Sequence, residues 1–467
     1  MNLLLKIAWR NIVRNRRRSL MTASAVAAGA LAMLLFAGYT TYIFLGMETG
    51  YVQRTGHLNV FRAGYFLYGT GNAAAYGIER YQEVMALIEH DPILHPMIGV
   101  ITPTQSLMGI AANYAGEGGA SRTFIGIGLV PSNRDRMLRW DEFGMGNVAA
   151  PDRRLSDRDA SRGLIGEGLA RILGLCAPLR LKECPPVRAE AGAAGASPVH
   201  ADIAELAVRE LGTARAADPG APRIDLLAAT VAGAPNVVSL TVGGAQRQGA
   251  KELDDAYVIM NLELAQQLVY GRGEHKVTAI VLQLLRSEDM AAARRRLTTL
   301  FAQHALDLEV RDFGELIPFY GQVIGLFSGI FLFIALVMGM IVLFAVVNTM
   351  TMNVMERTNE IGTIRAMGVR RRRIRAQFIV EGALIGAMGA SAGAVLAIVI
   401  AAIINRSGWT WVPPGNSAAV PLYLNVLGRP SLVVLAWFGL VLVATVAALI
   451  PANRAARLSV VDALRHV

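Results

Sequence analysis

The chain has 467 residues, of which 54% are hydrophobic and 17% charged, with a formal net charge of +10. So apolar and weakly charged a composition excludes an ordinary soluble domain and a disordered chain. The positive charge sits in short stretches beside long apolar blocks and tracks membrane sidedness, which excludes a nucleic-acid footprint.

Residues 1–18 hold Lys6, Arg10, Arg14, Arg16, Arg17 and Arg18 and no acid. Lys6, Arg10, Arg14 and Arg17 share one helical face and Leu5, Trp9, Ile12 and Val13 another, with Ile7 off the apolar face. That pattern predicts a helix in the cytoplasmic interface. Residues 19–47 contain no charge and exceed the roughly 20 apolar residues that a membrane helix needs. This block is about twice as long as the h-region of a signal peptide, so it is read as a retained anchor.

Residues 48–315 are predicted to form one mixed α+β domain. Strands are expected at Leu58–Phe61, Phe124–Ile127, Val237–Val242, Ala256–Met260 and Val277–Leu285, and helices at Arg80–Glu89, Asn261–Leu268 and Met290–Phe301. Gly163–Leu175 reads as a turn followed by a short helix. Residues 185–223, rich in Ala, Pro, Gly and Glu, read as a flexible insertion with a short helix at Ala201–Leu211. The two cysteines, Cys176 and Cys184, fall in this domain. An oxidising compartment would permit a disulfide between them, which their spacing alone does not decide.

The domain offers no catalytic motif. The chain contains no G-x-x-x-x-G-K-[ST] and no H-E-x-x-H, and residues 48–315 contain no G-x-S-x-G, so it has no P-loop for ATP and this domain has no signature of these hydrolases. His90 and His95 flank Asp91 and read as surface histidines beside a proline turn. Asp254 and Asp255 read as solvated turn residues. No catalytic residue, metal site or bound cofactor is predicted.

The second apolar block, 316–355, is uncharged over 40 residues. As one helix it would measure about 60 Å, twice the roughly 30 Å hydrocarbon core, so it either breaks near Pro318 or projects as a stalk. Residues 356–375 follow as a short basic loop. In it Ile361, Ile364 and Met367 are expected to form an apolar strip between charged flanks, suited to docking on a partner. The third span, 376–405, has a single charge, Glu381, placed near its cytoplasmic end. It also carries Gly382-x-x-x-Gly386 and Gly389-x-x-x-Gly393, a spacing for close helix packing, expected within the bundle. A loop at 406–429, a fourth span at 430–453 and a tail at 454–467 complete the chain.

The first stretch, the 356–375 loop and the tail together carry 16 basic and 3 acidic residues, against 27 and 31 in residues 48–320. By the positive-inside rule both termini and the 356–375 loop are cytoplasmic, and the large domain and the 406–429 loop lie outside. The expected fold is an α-helical membrane protein of four transmembrane helices, with a large α+β extracytoplasmic domain inserted between helices 1 and 2.

The run ERTNEIGTIRAMGVRRRRIRAQFIVEGALIG, from Glu356, resembles the FtsX-like permease domain of the MacB, FtsX and LolC/LolE group of ABC transporters. PANRAARLSVVDALR, from Pro451, is similar to that family's ending, and WRNIVRNRRRSLMT, from Trp9, to its start. GHLNVFRAGYF, from Gly56, and KELDDAYVIMNLELAQQLV, from Lys251, resemble parts of the periplasmic domain of lipoprotein-releasing members. The segment from Cys176 to Arg223 departs from the family. The resemblance implies a permease of the bacterial inner membrane that pairs with a second permease, as homodimer or related heterodimer, and with two copies of an ABC ATPase that bind ATP and Mg. Glu356, Arg357, Glu360, Ile361, Gly362, Arg365, Ala366 and Gly368 would form the coupling segment. Helix motion would be passed to the periplasmic domain, acting on a lipid-linked or amphiphilic substrate such as lipoproteins, with membrane lipids and a periplasmic or outer-membrane component as further partners. The alternative is an FtsX-like signalling permease that controls a periplasmic partner and moves no substrate. A cysteine placed at position 200 is expected to react with a membrane-impermeant maleimide added outside intact cells; labelling only after lysis would invert this topology.

Overall fold

The structure is a computed structural model that describes residues 2–458 except 70, 72, 115–118, 146–154, 182–183, 185–220, 249–250, 272–274 and 412–419. The expected helix at Ala201–Leu211 and position 200 lie outside the described residues. In chain order the longer helices are α1 (Asn2–Arg14), α2 (Arg16–Thr55), α3 (Tyr81–Glu89), α4 (Leu262–Tyr270), α5 (Met290–Gln303), α6 (Pro318–Glu356), α7 (Thr358–Ala366), α8 (Arg371–Ser407) and α9 (Pro430–Arg457). The strands are β1 (Leu58–Arg62), β2 (Ile98–Asn113), β3 (Ala120–Leu129), β4 (Arg162–Gly166), β5 (Arg223–Ala229), β6 (Pro235–Gln246), β7 (Tyr257–Asn261), β8 (Ala279–Leu284) and β9 (Leu308–Asp312). The chain divides into two compact units, one of Met1–Gly46, Phe319–Trp411 and Val420–Val467, the other built on Met47–Pro318.

The first unit is a helix bundle. Helices α2, α6, α8 and α9 are each long and apolar enough to cross a membrane. Helix α6 begins at Pro318, where the missing N–H costs nothing, and runs unbroken for 39 residues. Helix α8 is the bundle's centre because its glycines let two neighbours approach. A methyl group on Gly382 or Gly386 would stand 2.5 or 2.6 Å from the Cβ of Ala448 or Ala444 on α9. On Gly389 or Gly393 it would stand 2.6 or 2.4 Å from the backbone oxygens of Ala23 and Ala27 on α2. One glycine pair therefore seats α9 and the other seats α2. Thr22 Oγ1 donates to Thr349 Oγ1 at 2.6 Å, tying α2 to α6.

The second unit joins two sheets through one strand. Residues Ile98–Thr104 of β2 pair with β8, and Gln105–Asn113 pair with β3. The first sheet, β2-β8-β1-β9, is covered by α3 and α5 in a β-α-β-β-α-β arrangement. The second runs β3-β7-β4-β6-β5-β2 and closes through the β2–β3 pairing into a ring of six strands. Gly163–Gly166, expected as a turn, is strand β4, parallel to β6; the helix follows at Glu167–Ile172. Asp254, expected in solvent, is buried and caps that helix: its carboxylate accepts from the backbone N–H of Glu167 at 3.1 Å and of Gly168 at 3.0 Å. Cys176 and Cys184 form a disulfide, their Cα atoms 6.1 Å apart. Asp91, between the two histidines, is buried and accepts from the Arg296 guanidinium, with Nε at 3.1 Å, which holds its carboxyl below the ordinary carboxylate range.

The end of α2 is built into the first sheet. Gly56 takes φ +68°, turning the chain from helix into β1. Gln283 Nε2 donates to the carbonyls of Val52 at 3.1 Å and Met137 at 3.0 Å. His57 is fully buried; its Nδ1 accepts from Leu284 N–H at 3.0 Å, and Nε2 lies 3.1 Å from Ser287 Oγ. Burial pushes the imidazole down to about 4. The unfolded chain, with an ordinary histidine near 6.5, then binds a proton that the folded one refuses. The stability of the α2–β1 junction is therefore full above about pH 6.5 and falls by about 3 kcal/mol as the pH drops toward 4. Melting curves at pH 7.5 and 5 are expected to show a larger loss for the native protein than for His57→Gln; equal losses would contradict this origin.

Candidate functional site

The residues expected to couple the chain to a partner lie at the arginine-rich end of the bundle. Helix α7 follows α6 and precedes α8 in the chain. Its inner side is Ile361, buried in a cluster with Ile12, Val354, Ile374 and Phe378, and Gly362 beside it. The expected apolar strip is therefore divided. Ile361 points into the bundle, whereas Ile364 is 37% and Met367 70% exposed. Each step of three residues turns about 60° around a helix, so a strip six residues long cannot stay on one face. Ala366 is exposed, and Gly368, at φ +84°, ends the helix in a left-handed conformation.

A polar knot fixes α7 in place. Arg357 reaches three elements: its Nη2 donates to Asn11 Oδ1 on α1 at 2.8 Å, its Nη1 to Glu381 Oε1 on α8 at 3.5 Å, and its Nε to Glu360 Oε2 at 3.0 Å. Asn11 Nδ2 also donates to Glu381 Oε1, and Gln377 Nε2 does so at 3.4 Å. Glu381 is only 2% exposed; it is thus an interior member of the knot and not an acid at the water interface. Arg14 Nη2 holds both oxygens of Glu360, at 2.8 and 3.1 Å. Burial alone would raise the Glu360 carboxyl, but the hydrogen bonds from Arg357 and Arg14 outweigh it and bring it below its ordinary range. Glu356 pairs with Arg18 of α2, and Arg365 donates to the Leu458 carbonyl after α9. Every charged member of the expected coupling segment is thereby tied to another element.

Helix α1 exposes Leu5, Trp9 and Val13 while burying Ala8 and Ile12. Its role through Asn11 was not anticipated. The signal was there: an uncharged polar residue one turn from Ala8, among arginines that all face outward. Among the described residues no group of three His, Cys, Asp or Glu could hold a metal ion.

Residues 324–460 match the family model described as FtsX-like permease C-terminal. This part of the chain is thus similar to the C-terminal domain of FtsX-like permeases. The chain is 35% identical over 119 residues to the macrolide export ATP-binding/permease protein MacB of Psychrobacter cryohalolentis, covering 26% of this chain and 16% of that one. It is 29% identical over 194 residues to MacB of Escherichia coli, covering 41% and 28%. An ABC transporter permease of Methanocaldococcus jannaschii is 25% identical over 168 residues, covering 35% and 41%. The chain thus spans less than half the length of these curated relatives. Among solved structures, the periplasmic region of MacB from Actinobacillus actinomycetemcomitans aligns with 59% of this chain and 95% of its own length, at 12% identity and TM-score 0.30. The extracellular domain of the transporter YknZ aligns with 55% and 100%, at 11% identity and TM-score 0.30.

The knot has a testable hierarchy. Arg357→Met strands the buried Glu381 carboxylate without its cation, a defect that typically costs about 3–5 kcal/mol. Glu381→Gln keeps a partner for Asn11 and is expected to cost less, and the double variant to recover part of the Arg357→Met loss. Unfolding in detergent checks the cycle; additive losses would mean that the two side chains do not interact.

Proposed function

We propose that this chain is the permease subunit of an ABC transporter, and that α7 receives the push of an ATPase at the cytoplasmic face. The observation that carries the reading is the division of α7: one side locked to α1 and α8 by the knot, the other presenting Ile364 and Met367 beside the Arg370–Arg373 run. A helix so fastened transmits an applied force and does not swing away from it. ATP and Mg would be held by an ABC ATPase, one copy beneath each of two paired permeases; residues 1–467 themselves carry no P-loop sequence. The basic ends and the loop containing α7 favour a cytoplasmic placement in a bacterial inner membrane, with the α/β unit outside.

In this reading closure of the ATPases moves α2 and α6, and the α/β domain uses that motion. Three features support α2 as a lever: its 40 unbroken residues, its seat against Gly389 and Gly393, and the hydrogen-bonded end at Gln283 and His57. The cargo proposed is a lipid-linked or amphiphilic molecule such as a lipoprotein, with MacB-type export as a variant.

Ile364→Asp and Met367→Asp alter exposed side chains and are expected to leave the melting temperature unchanged while reducing co-purification of the ATPase at least tenfold. Arg365→Glu should weaken it too, through displacement of the chain after α9. If the ATPase stays bound in both aspartate variants, α7 is not its docking helix. ATP-dependent coupling without release of any membrane cargo would instead favour a signalling role.

A further inference from the structure

The α/β domain holds a partly open cavity of about 300 Å3, remote from α7 in the sequence of its lining residues. It lies where the last turns of α2 meet the six-strand ring and the short helix Pro131–Met137. Its lining mixes two chemistries. Ile127, Leu129 and Ile259 contribute apolar wall, and Arg54, Arg134 and Tyr257 contribute polar groups. The described lining contains two arginines and no carboxylate. Arg134 is oriented by a 3.2 Å hydrogen bond from its Nη2 to Gln246 Oε1. Burial pushes the Tyr257 phenol up, and the positive charges of Arg134 and Arg54 oppose that rise.

We infer that this cavity is a binding site for a single-chain anionic amphiphile, whose phosphate or carboxylate head meets Arg54, Arg134 and Tyr257 and whose alkyl tail lies on the apolar wall. Charge decides the head group: two guanidiniums and a phenol are donors matched to an oxyanion. Volume decides the tail. At roughly 30 Å3 for a water-sized group, the cavity holds about ten heavy atoms, the size of a six-carbon chain with its head and too small for a diacyl phospholipid. It also reaches the lower bound, about 300 Å3, of small-molecule sites. Because Arg54 stands on the last turn of α2, occupancy would brace that helix end. The inference is independent of whether the chain transports anything.

The test uses the full chain in nanodiscs, with empty nanodiscs as blank, titrated calorimetrically with hexyl phosphate. One molecule per chain is expected to bind. Inorganic phosphate and hexanol, which carry the head or the tail alone, should each bind at least tenfold more weakly. Arg54→Gln combined with Arg134→Gln should weaken hexyl phosphate at least tenfold, and Ile127→Trp, which fills the cavity, should abolish it with the melting temperature retained. No binding, or binding unchanged in both variants, overturns the site. Equal binding of inorganic phosphate reduces it to an anion site and overturns the amphiphile; equal binding of hexanol overturns the role of the arginines.

Discussion

A carboxylate shut inside a helix bundle must keep a cation and its hydrogen-bond donors, or the bundle opens to supply water. Glu381 has that demand, and the structure answers it with side chains from three separate elements. Asn11 comes from α1, Arg357 from the junction of α6 and α7, and Gln377 from its own helix one turn earlier. Satisfying one buried acid therefore fixes the first helix, the start of α7 and the base of α8 in a single arrangement. The glycines of α8 continue the same fixation farther along through close backbone contact.

The long helices were legible because lipid is an unforgiving solvent: a chain that crosses it needs a long apolar run, and such runs stand out by length alone. The bounds of the helices were less legible. Helix α2 continues to Thr55, past the apolar block, because Gly56 and not hydropathy ends it. In the α/β domain, β7 and β8 were visible as apolar runs because both are almost wholly buried. Strand β2 was missed. It contains Pro103 and Gly109, it is buried in its first half, and it exposes Met108 and Ile110 in its second, so no single period runs through it.

Site residues divided along the same line. The pattern of arginines and glycines in the 356–375 loop singled it out in the sequence. Which side chains face outward was not, because Ile361 and Met367 differ by a rotation that only the packed helix reveals. The capping role of Asp254 depends on N–H groups more than 80 residues earlier in the chain, and no local pattern encodes such a partner. Arg365 was expected to face a partner chain; its nearest acceptor is the Leu458 carbonyl of this one.

Strand β2 has one more implication. It is 16 residues long and its two ends belong to different sheets, so the two halves of the α/β domain share one continuous backbone with no linker between them. Neither half can melt away without stripping hydrogen bonds from a strand that the other requires, and a twist applied to one is carried along the pleat into the other. Among its described residues the domain therefore has no seam at which a protease, a truncation or a graft could separate sheet from ring and leave both whole.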